Sequence, residues 1–419
     1  MSKRESFIGS PDWILLVLYM VLIVYGWLSI YSATATSETA KVFELSERYG
    51  KQLLWIGMAF ILGFSILLID AKFFSAFAYA IYGIMLVVLM AVLVVGTTVA
   101  GSKSWFQFGS FALQPGEFAK FATALALAKY LSLNNVDMRS MKTKLMAMAI
   151  IGAPALLILM QNDTGSALVY VAFILVLFRE GLSGITIVSG IIATILFIVT
   201  VIFGEIYVAA VLVALTVLVF LIFKKVRKNW SGLLVGMGLS LIFVFSVHYT
   251  FNNVLEEHQR VRIQVMLGLK NDPLGAGYNV NQAKIAIGSG GLTGKGYFKG
   301  MLTRNHFVPE QSTDFIFCTI GEERGFIGSG ILVLLFLALM VRIIQLAERQ
   351  RSPFSRIYGY GAASILFFHF AINIAMTIGL APVVGIPLPF FSYGGSSLWA
   401  FTILLFIFIK QDANRLNVL

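Results

Sequence analysis

The run WILLVLYMVLIVYGWLSI, residues 13–30, carries no charge from end to end. In helical form ~20 apolar residues cover the ~30 Å hydrocarbon core of a bilayer, where only a helix or a closed barrel satisfies its own backbone. The run is continuous rather than alternating, so it reads as a helix and not as a barrel strand. It is as long as the runs that follow and lacks an A-x-A cleavage site, so a retained first membrane helix is expected rather than a secretory signal.

Similar runs recur along the chain. The 419 residues are 58% hydrophobic and only 12% charged, the composition of a multi-spanning membrane protein. Membrane segments are expected near 12–31, 51–70, 76–96, 117–133, 143–160, 165–179, 184–203, 205–223, 231–249, 320–345, 355–380 and 396–410. The fold class is therefore an all-α polytopic membrane helix bundle of about 10–12 helices, with residues 1–419 as one integral-membrane domain.

Placing Lys3 and Arg4 in the cytoplasm puts Arg139, Lys142, Lys144, Arg179, the KKVRK run at 224–228, Arg349, Arg351, Arg356, Lys410 and Arg415 on the same side. The connections at 161–164, 204 and 381–395 carry no Lys or Arg, so both termini are expected in the cytoplasm. The net charge of +11 is spent on this topology, and no nucleic-acid partner is expected. Cys318 is the only cysteine, which excludes an internal disulfide framework and a Cys-based metal cluster.

In that frame the longest connection, residues 250–319, lies outside the cytoplasmic membrane. Loops of this length are usually functional or disordered. This one is rich in Gly and Asn (NDPLGAGYNVNQAKIAIGSGGLTGKGYFKG, 271–300) yet contains the apolar patch AKIAIG, so a large ordered extracytoplasmic loop packed on the bundle is expected.

Charges in or beside membrane helices are costly, and each is a candidate functional residue. Glu117 and Lys120 stand three apart in QPGEFAKFA and can pair on one helix face. They are either a structural ion pair or the polar wall of a substrate cavity, with Pro115 in the first turn. In QNDTGSAL (161–168) Asp163 is either a helix cap or part of a binding cavity. APVVGIPLPFFSYGGSS (381–397) reads as an ordered loop whose Ser392 and following glycines offer a hydroxyl and backbone N–H groups to an anion, or simply pack. In VPEQSTDFIFCTIGEERGFIGSG (308–330), Glu322, Glu323 and Arg324 fall at the outer membrane boundary and Asp314 about two turns beyond it. The apolar FIFCTI there needs a cover. If the long loop supplies it, a cleft forms around Asp314, which then acts as a general base or as a helix cap.

Five blocks, SWFQFGSFALQPGEFAKF (104–121), LMQNDTGSAL (159–168), NQAKIAIGSGGLTGKG (281–296), PEQSTDFIFCTIGEERGFIG (309–328) and GIPLPFFSYGGSS (385–397), together resemble the SEDS (shape, elongation, division, sporulation) family of bacterial membrane glycosyltransferases. They occur in the family's order and spread over most of the chain. The Gly-rich block resembles the elongation branch, RodA, more than the division branch, FtsW.

The resemblance implies peptidoglycan polymerisation from lipid II on the outer face of the bacterial cytoplasmic membrane. It also implies a class B penicillin-binding protein as partner transpeptidase and service to the elongation machinery. Asp314 matches the essential aspartate. Trp105, Glu117, Lys120, Arg260 and Gln282 match substrate-site positions, to which Glu322 and Ser392 are added. A divalent cation, Mg²⁺ or Mn²⁺, is expected at the pyrophosphate, with Asp314 as base or as metal ligand. A lipid-linked precursor transporter is the alternative function.

Three departures stand out. Ser312 replaces the usual His before Thr-Asp, PGE (115–117) replaces PSE, and QNDTGSAL replaces QPDLGTAL. The family typically has about ten helices, so a helical hairpin within 184–249 is expected as an addition.

Overall fold

The computed structural model describes residues 11–35, 42–99, 101–109, 111–224, 227, 230–272, 275 and 277–416. Lys3, Arg4, Lys225 and Lys228, counted above for topology, lie outside them, as do Pro273, Leu274 and Ala276 of the long connection.

All twelve expected segments fall on helical structure. Ten helices are long and apolar enough to cross a membrane. They are α1 (Trp13–Thr34), α2 (Arg48–Leu68), α4 (Ala78–Val95), α6 (Met141–Met160), α9 (Gly184–Phe203), α10 (Glu205–Ile222), α11 (Trp230–Asn253), α15 (Ile316–Glu348), α16 (Pro353–Thr377) and α17 (Gly395–Ala413). The short α3 (Ala71–Ala76) precedes α4.

The other two segments are α5 (Pro115–Leu131) and the run α7 (Thr164–Leu168), a 3₁₀ turn (Val169–Ala172) and α8 (Phe173–Arg179). Pro115 occupies the first turn of α5, where its missing N–H costs nothing. Asp163 caps α7 by accepting from the Ser166 amide at 3.0 Å, one of the two readings left open for it.

An element the sequence reading missed lies between α4 and α5. Strands β1 (Thr97–Val99), β2 (Ser102–Phe108) and β3 (Phe111–Leu113) form an antiparallel meander, with Thr97 opposite Trp105 and Phe106 opposite Leu113. Its aromatic and Thr-rich strands, broken at Gly101 and Gly109, carry the usual strand and turn signals. The sheet is tied down by Lys103 N–H donating to the Gln161 carbonyl at 2.9 Å and by the Gln114 side chain donating to Asp163 at 2.8 Å.

The chain divides into two compact units, residues 1–182 with 279–419, and residues 183–278. In the second unit α9, α10 and α11 pack on one another, His248 pairs with Glu205 at 2.7 Å, and the polar helix α12 (Glu257–Met266) begins with a capping box from Glu256 and Gln259. In the first unit α5, α16 and α17 hold the centre, with α1 between α2 and α15.

The end of this unit that carries the chain termini is closed by charge. Asp12 caps α1 and accepts from Arg342 of α15, while Arg349 and Gln350 donate to Asp412 of α17. Burial alone would raise the Asp12 pKa, but hydrogen bonds and charge from Arg342 outweigh it and hold the carboxyl below its usual value.

Candidate active site

At the other end of α15 the chain turns sharply before the helix. Glu310 takes a left-handed conformation, and its carbonyl accepts from the amides of Thr313 and Phe315, both at 3.1 Å. Four consecutive carbonyls in this turn are then claimed from outside it. Gln311 O accepts from the Thr319 hydroxyl at 3.4 Å, and Ser312 O from the Tyr393 amide at 2.8 Å. Thr313 O accepts from the Ser392 hydroxyl at 2.6 Å, and Asp314 O from the Asn373 side chain of α16 at 2.8 Å. Asp314 is thus fixed through its backbone, and its carboxylate is free of that duty. It stands half-buried at the N-terminal end of α15, where the helix dipole favours its ionised form.

The 381–394 loop forms the facing wall. Gly385 lies so close that a Cβ there would sit 3.4 Å from Asp314 Oδ2, and its φ of +71° belongs to the left-handed region. Asn373 also donates to Ile386 O at 2.7 Å, so one amide side chain bridges the loop and the Asp314 turn. The Val384 carbonyl packs directly on Gly165 of α7. Gly385→Ala puts an L-residue into strained backbone beside the carboxylate. Its expected effect is a loss of turnover on the order of tenfold, checked as the initial rate of glycan-strand formation.

The apolar FIFCTI stretch is covered as expected. Helix α13 (Tyr278–Ser289) lays Ala283 and Ala286 against Phe315 and Cys318, with Val308 completing a buried cluster. Gln282 is half-buried on the same helix, and its neighbour Lys284 reaches Gly379 at the end of α16.

The Glu-Glu-Arg cluster corrects the sequence reading. Glu322 is fully buried, not at a water boundary, and it anchors the cover. One oxygen accepts from Lys295 Nζ at 2.8 Å and the Leu302 amide at 3.0 Å, the other from the Thr303 amide and hydroxyl, both at 2.9 Å. Glu323 accepts from Ser32 of α1 at 2.5 Å and from the Phe298 amide at 3.2 Å. Arg324 lies over the rings of Tyr25 and Tyr297, and burial pushes the Tyr297 phenol up to about 12, so it stays neutral there. α15 breaks at Gly325, φ +64°, to admit this segment: the Phe326 and Ile327 amides donate to Gly291 O and Leu292 O. Glu322 is therefore an anchor of the 291–303 segment, with no oxygen left for a substrate.

Two further expectations are corrected on similar grounds. Glu117 and Lys120 are buried and paired at 2.6 Å, and Lys120 Nζ also donates to His369 Nε2 at 2.9 Å. The ion-pair reading holds in this structure, and neither side chain faces a substrate. Ser392, 5% exposed, donates to Thr313 O and accepts from the Leu388 amide, so it shapes the Asp314 turn.

Trp105 is half-buried in the middle of β2, where its carbonyl accepts from Thr97. Arg260 is half-buried on α12 in the second unit.

Arg48 was missed, because a cation in the first turn of an apolar helix reads as a topology signal. Its guanidinium donates to Ser312 Oγ at 2.8 Å, two residues before Asp314, and faces the Tyr393 ring at 5.8 Å. Burial holds the Tyr393 phenol above its usual range, against the opposing charge of Arg48.

Among the described residues no group of three or more His, Cys, Asp or Glu side chains converges as a metal cage. Mg²⁺ commonly needs only one or two carboxylates and takes its other ligands from substrate phosphates and water. Asp314 fits that single-carboxylate role.

A multi-spanning helix bundle with one backbone-clamped carboxylate under an ordered cover defines an integral-membrane protein that works at the rim of its bundle. The sequence model of the cell cycle protein family FTSW_RODA_SPOVE matches residues 12–211 and 207–416, and the chain belongs to this family. It is 32% identical to the peptidoglycan glycosyltransferase RodA of Treponema pallidum (strain Nichols) over 432 residues, 98% of this chain and 99% of that relative. Its fold is similar to that of a chain solved in a study named "Structural coordination of polymerization and crosslinking by a peptidoglycan synthase complex", with TM-score 0.70, 25% identity and coverage of 97% and 99% of the two chains. It is also similar to the rod shape determining protein RodA of Thermus thermophilus, with TM-score 0.62, 26% identity and coverage of 97% and 98%.

Proposed function

We propose that this bacterial multi-pass membrane protein is a peptidoglycan glycosyltransferase that polymerises lipid II into glycan strands. The GlcNAc 4-hydroxyl of one lipid-linked disaccharide attacks the anomeric carbon of another. The new C–O bond forms as the bond to pyrophosphate breaks, and the electron pair leaves with the polyprenyl pyrophosphate. An α-linked donor then gives a β-1,4 product by inversion. Asp314 accepts the hydroxyl proton, a contribution typically worth ~10²–10⁴ in rate.

The observation that carries this assignment is the clamp on four successive carbonyls, 311 to 314, which fixes the backbone and leaves the carboxylate for chemistry. Arg48, half-exposed beside Ser312, is the cation proposed to meet the departing pyrophosphate. Trp105, Gln282 and Arg260 are proposed as lipid II contacts on the family resemblance alone.

The reaction is proposed for the outer face of the cytoplasmic membrane, with both termini in the cytoplasm. A class B penicillin-binding protein is the proposed partner for crosslinking, within the elongation machinery. One hairpin among α9, α10 and α11 is proposed as an addition to the family's usual helix set.

A divalent cation bound by Asp314 and the pyrophosphate would neutralise charge on the leaving group. The assay is gel-resolved polymerisation of purified lipid II by the purified protein, with and without chelator and with and without the partner. Chelation is expected to abolish product, and added Mg²⁺ or Mn²⁺ to restore it. Full activity in chelator would remove the metal and leave Asp314 as base alone.

A further inference from the structure

Between the buried Glu117–Lys120 pair and the Asp314 wall stands one side chain that the sequence reading did not single out. His369, on α16, is 1% exposed and uses both ring nitrogens: Nε2 meets Lys120 Nζ at 2.9 Å, and Nδ1 lies 3.1 Å from Pro387 O. A lysine ammonium can only donate, so Nε2 is the acceptor and Nδ1 carries the proton given to the Pro387 carbonyl. Glu117 holds the lysine at 2.6 Å, and with it the tautomer. One turn further along the same helix, Asn373 holds the neighbouring carbonyl, Ile386 O, together with Asp314 O. Two side chains four residues apart on one helix face therefore set the height of the 385–387 backbone, and Gly385 is the residue of that segment lying against Asp314 Oδ2.

We infer that His369 is a positioning residue for glycosyl transfer: held as the Nδ1–H tautomer by Lys120, it fixes Pro387 and so seats the Gly385 wall against the Asp314 carboxylate. This rests on Asp314 being the reacting carboxylate. The buried ion pair then acts at a distance from the substrate by choosing which ring nitrogen carries the proton. Displacement of a reacting group by about 1 Å costs ~10²-fold in rate, while substrate contacts made elsewhere are kept.

The test compares His369→Asn, His369→Gln and His369→Phe in purified full-length protein acting on lipid II, with Asp314→Asn in parallel. An Asn amide can place its N–H near the Nδ1 position, whereas Gln places its amide near Nε2 and Phe offers no donor. The expected result is that His369→Asn keeps kcat within about tenfold of wild type. His369→Gln and His369→Phe should lose ~10²-fold in kcat, with KM for lipid II changed less than about threefold. Thermal unfolding gives kcat per folded molecule, so a purely structural role shows as lost protein rather than as a split between the variants.

Equal kcat losses in the Asn and Gln variants, wild-type kcat in His369→Phe, or failure of all three to fold would each overturn the inference. If instead Asp314→Asn polymerises normally, the underlying assignment of Asp314 fails, whatever the histidine variants do.

Discussion

Asp314→Asn is expected to fold like the wild type and to form glycan strands ~10²–10⁴-fold more slowly. The fold survives because the clamp on this turn takes hold of the carbonyls of residues 311 to 314, and Asn has the same backbone. The side chain keeps its shape and loses its capacity to accept a proton or ligate a metal. The variant therefore separates chemistry from structure more cleanly than a truncation would. Monodispersity and thermal unfolding in detergent check the first half of the expectation, and polymer formed per minute checks the second. If Asp314→Asn were folded and active, the carboxylate would be a helix-end residue and the reacting group would have to be sought elsewhere.

Lys120→Met is expected to destabilise the protein by about 3–5 kcal/mol, because it strands the Glu117 carboxylate in the bundle without its partner. Glu117 Oε2 already accepts no hydrogen bond, so its other oxygen has nothing to fall back on. The double substitution Glu117→Gln with Lys120→Met removes both charges and is expected to recover much of that loss. Thermal unfolding of the three proteins in one detergent measures the difference. A Lys120→Met protein as stable as wild type but unable to polymerise would return Lys120 to the substrate, against the pairing seen here.

Much of the fold was legible because it is written locally. Apolar runs gave every membrane helix, Pro115 and Asp163 marked helix starts, and the three-residue spacing of Glu117 and Lys120 gave their pair. What escaped depends on partners distant in the chain. Lys120 meets His369 across 249 positions, and Ser392 meets Thr313 across 79. Glu322 and Glu323 were placed in water because charges at the end of an apolar run usually mark the membrane boundary. The structure buries both under the 291–303 segment, whose amides and Lys295 satisfy them. The small sheet at 97–113 escaped because its strands are short and the surrounding helical pattern is strong. Asp314 itself was legible as a candidate from its neighbours, while the clamp that frees its carboxylate was not.

The rival account, transport of the lipid-linked precursor, calls for functional charge inside the bundle. The buried charges of α5 are there, but they are spent on each other and on His369.

Detergent micelles offer no membrane to cross, so the most direct measurement gives purified wild-type protein and Asp314→Asn the same lipid II in micelles and resolves the products on a gel. The account predicts a ladder of glycan strands from the wild type and none above background from the variant. No ladder from folded wild-type protein that nonetheless moves lipid II across a liposome bilayer, or equal ladders from both proteins, would contradict it.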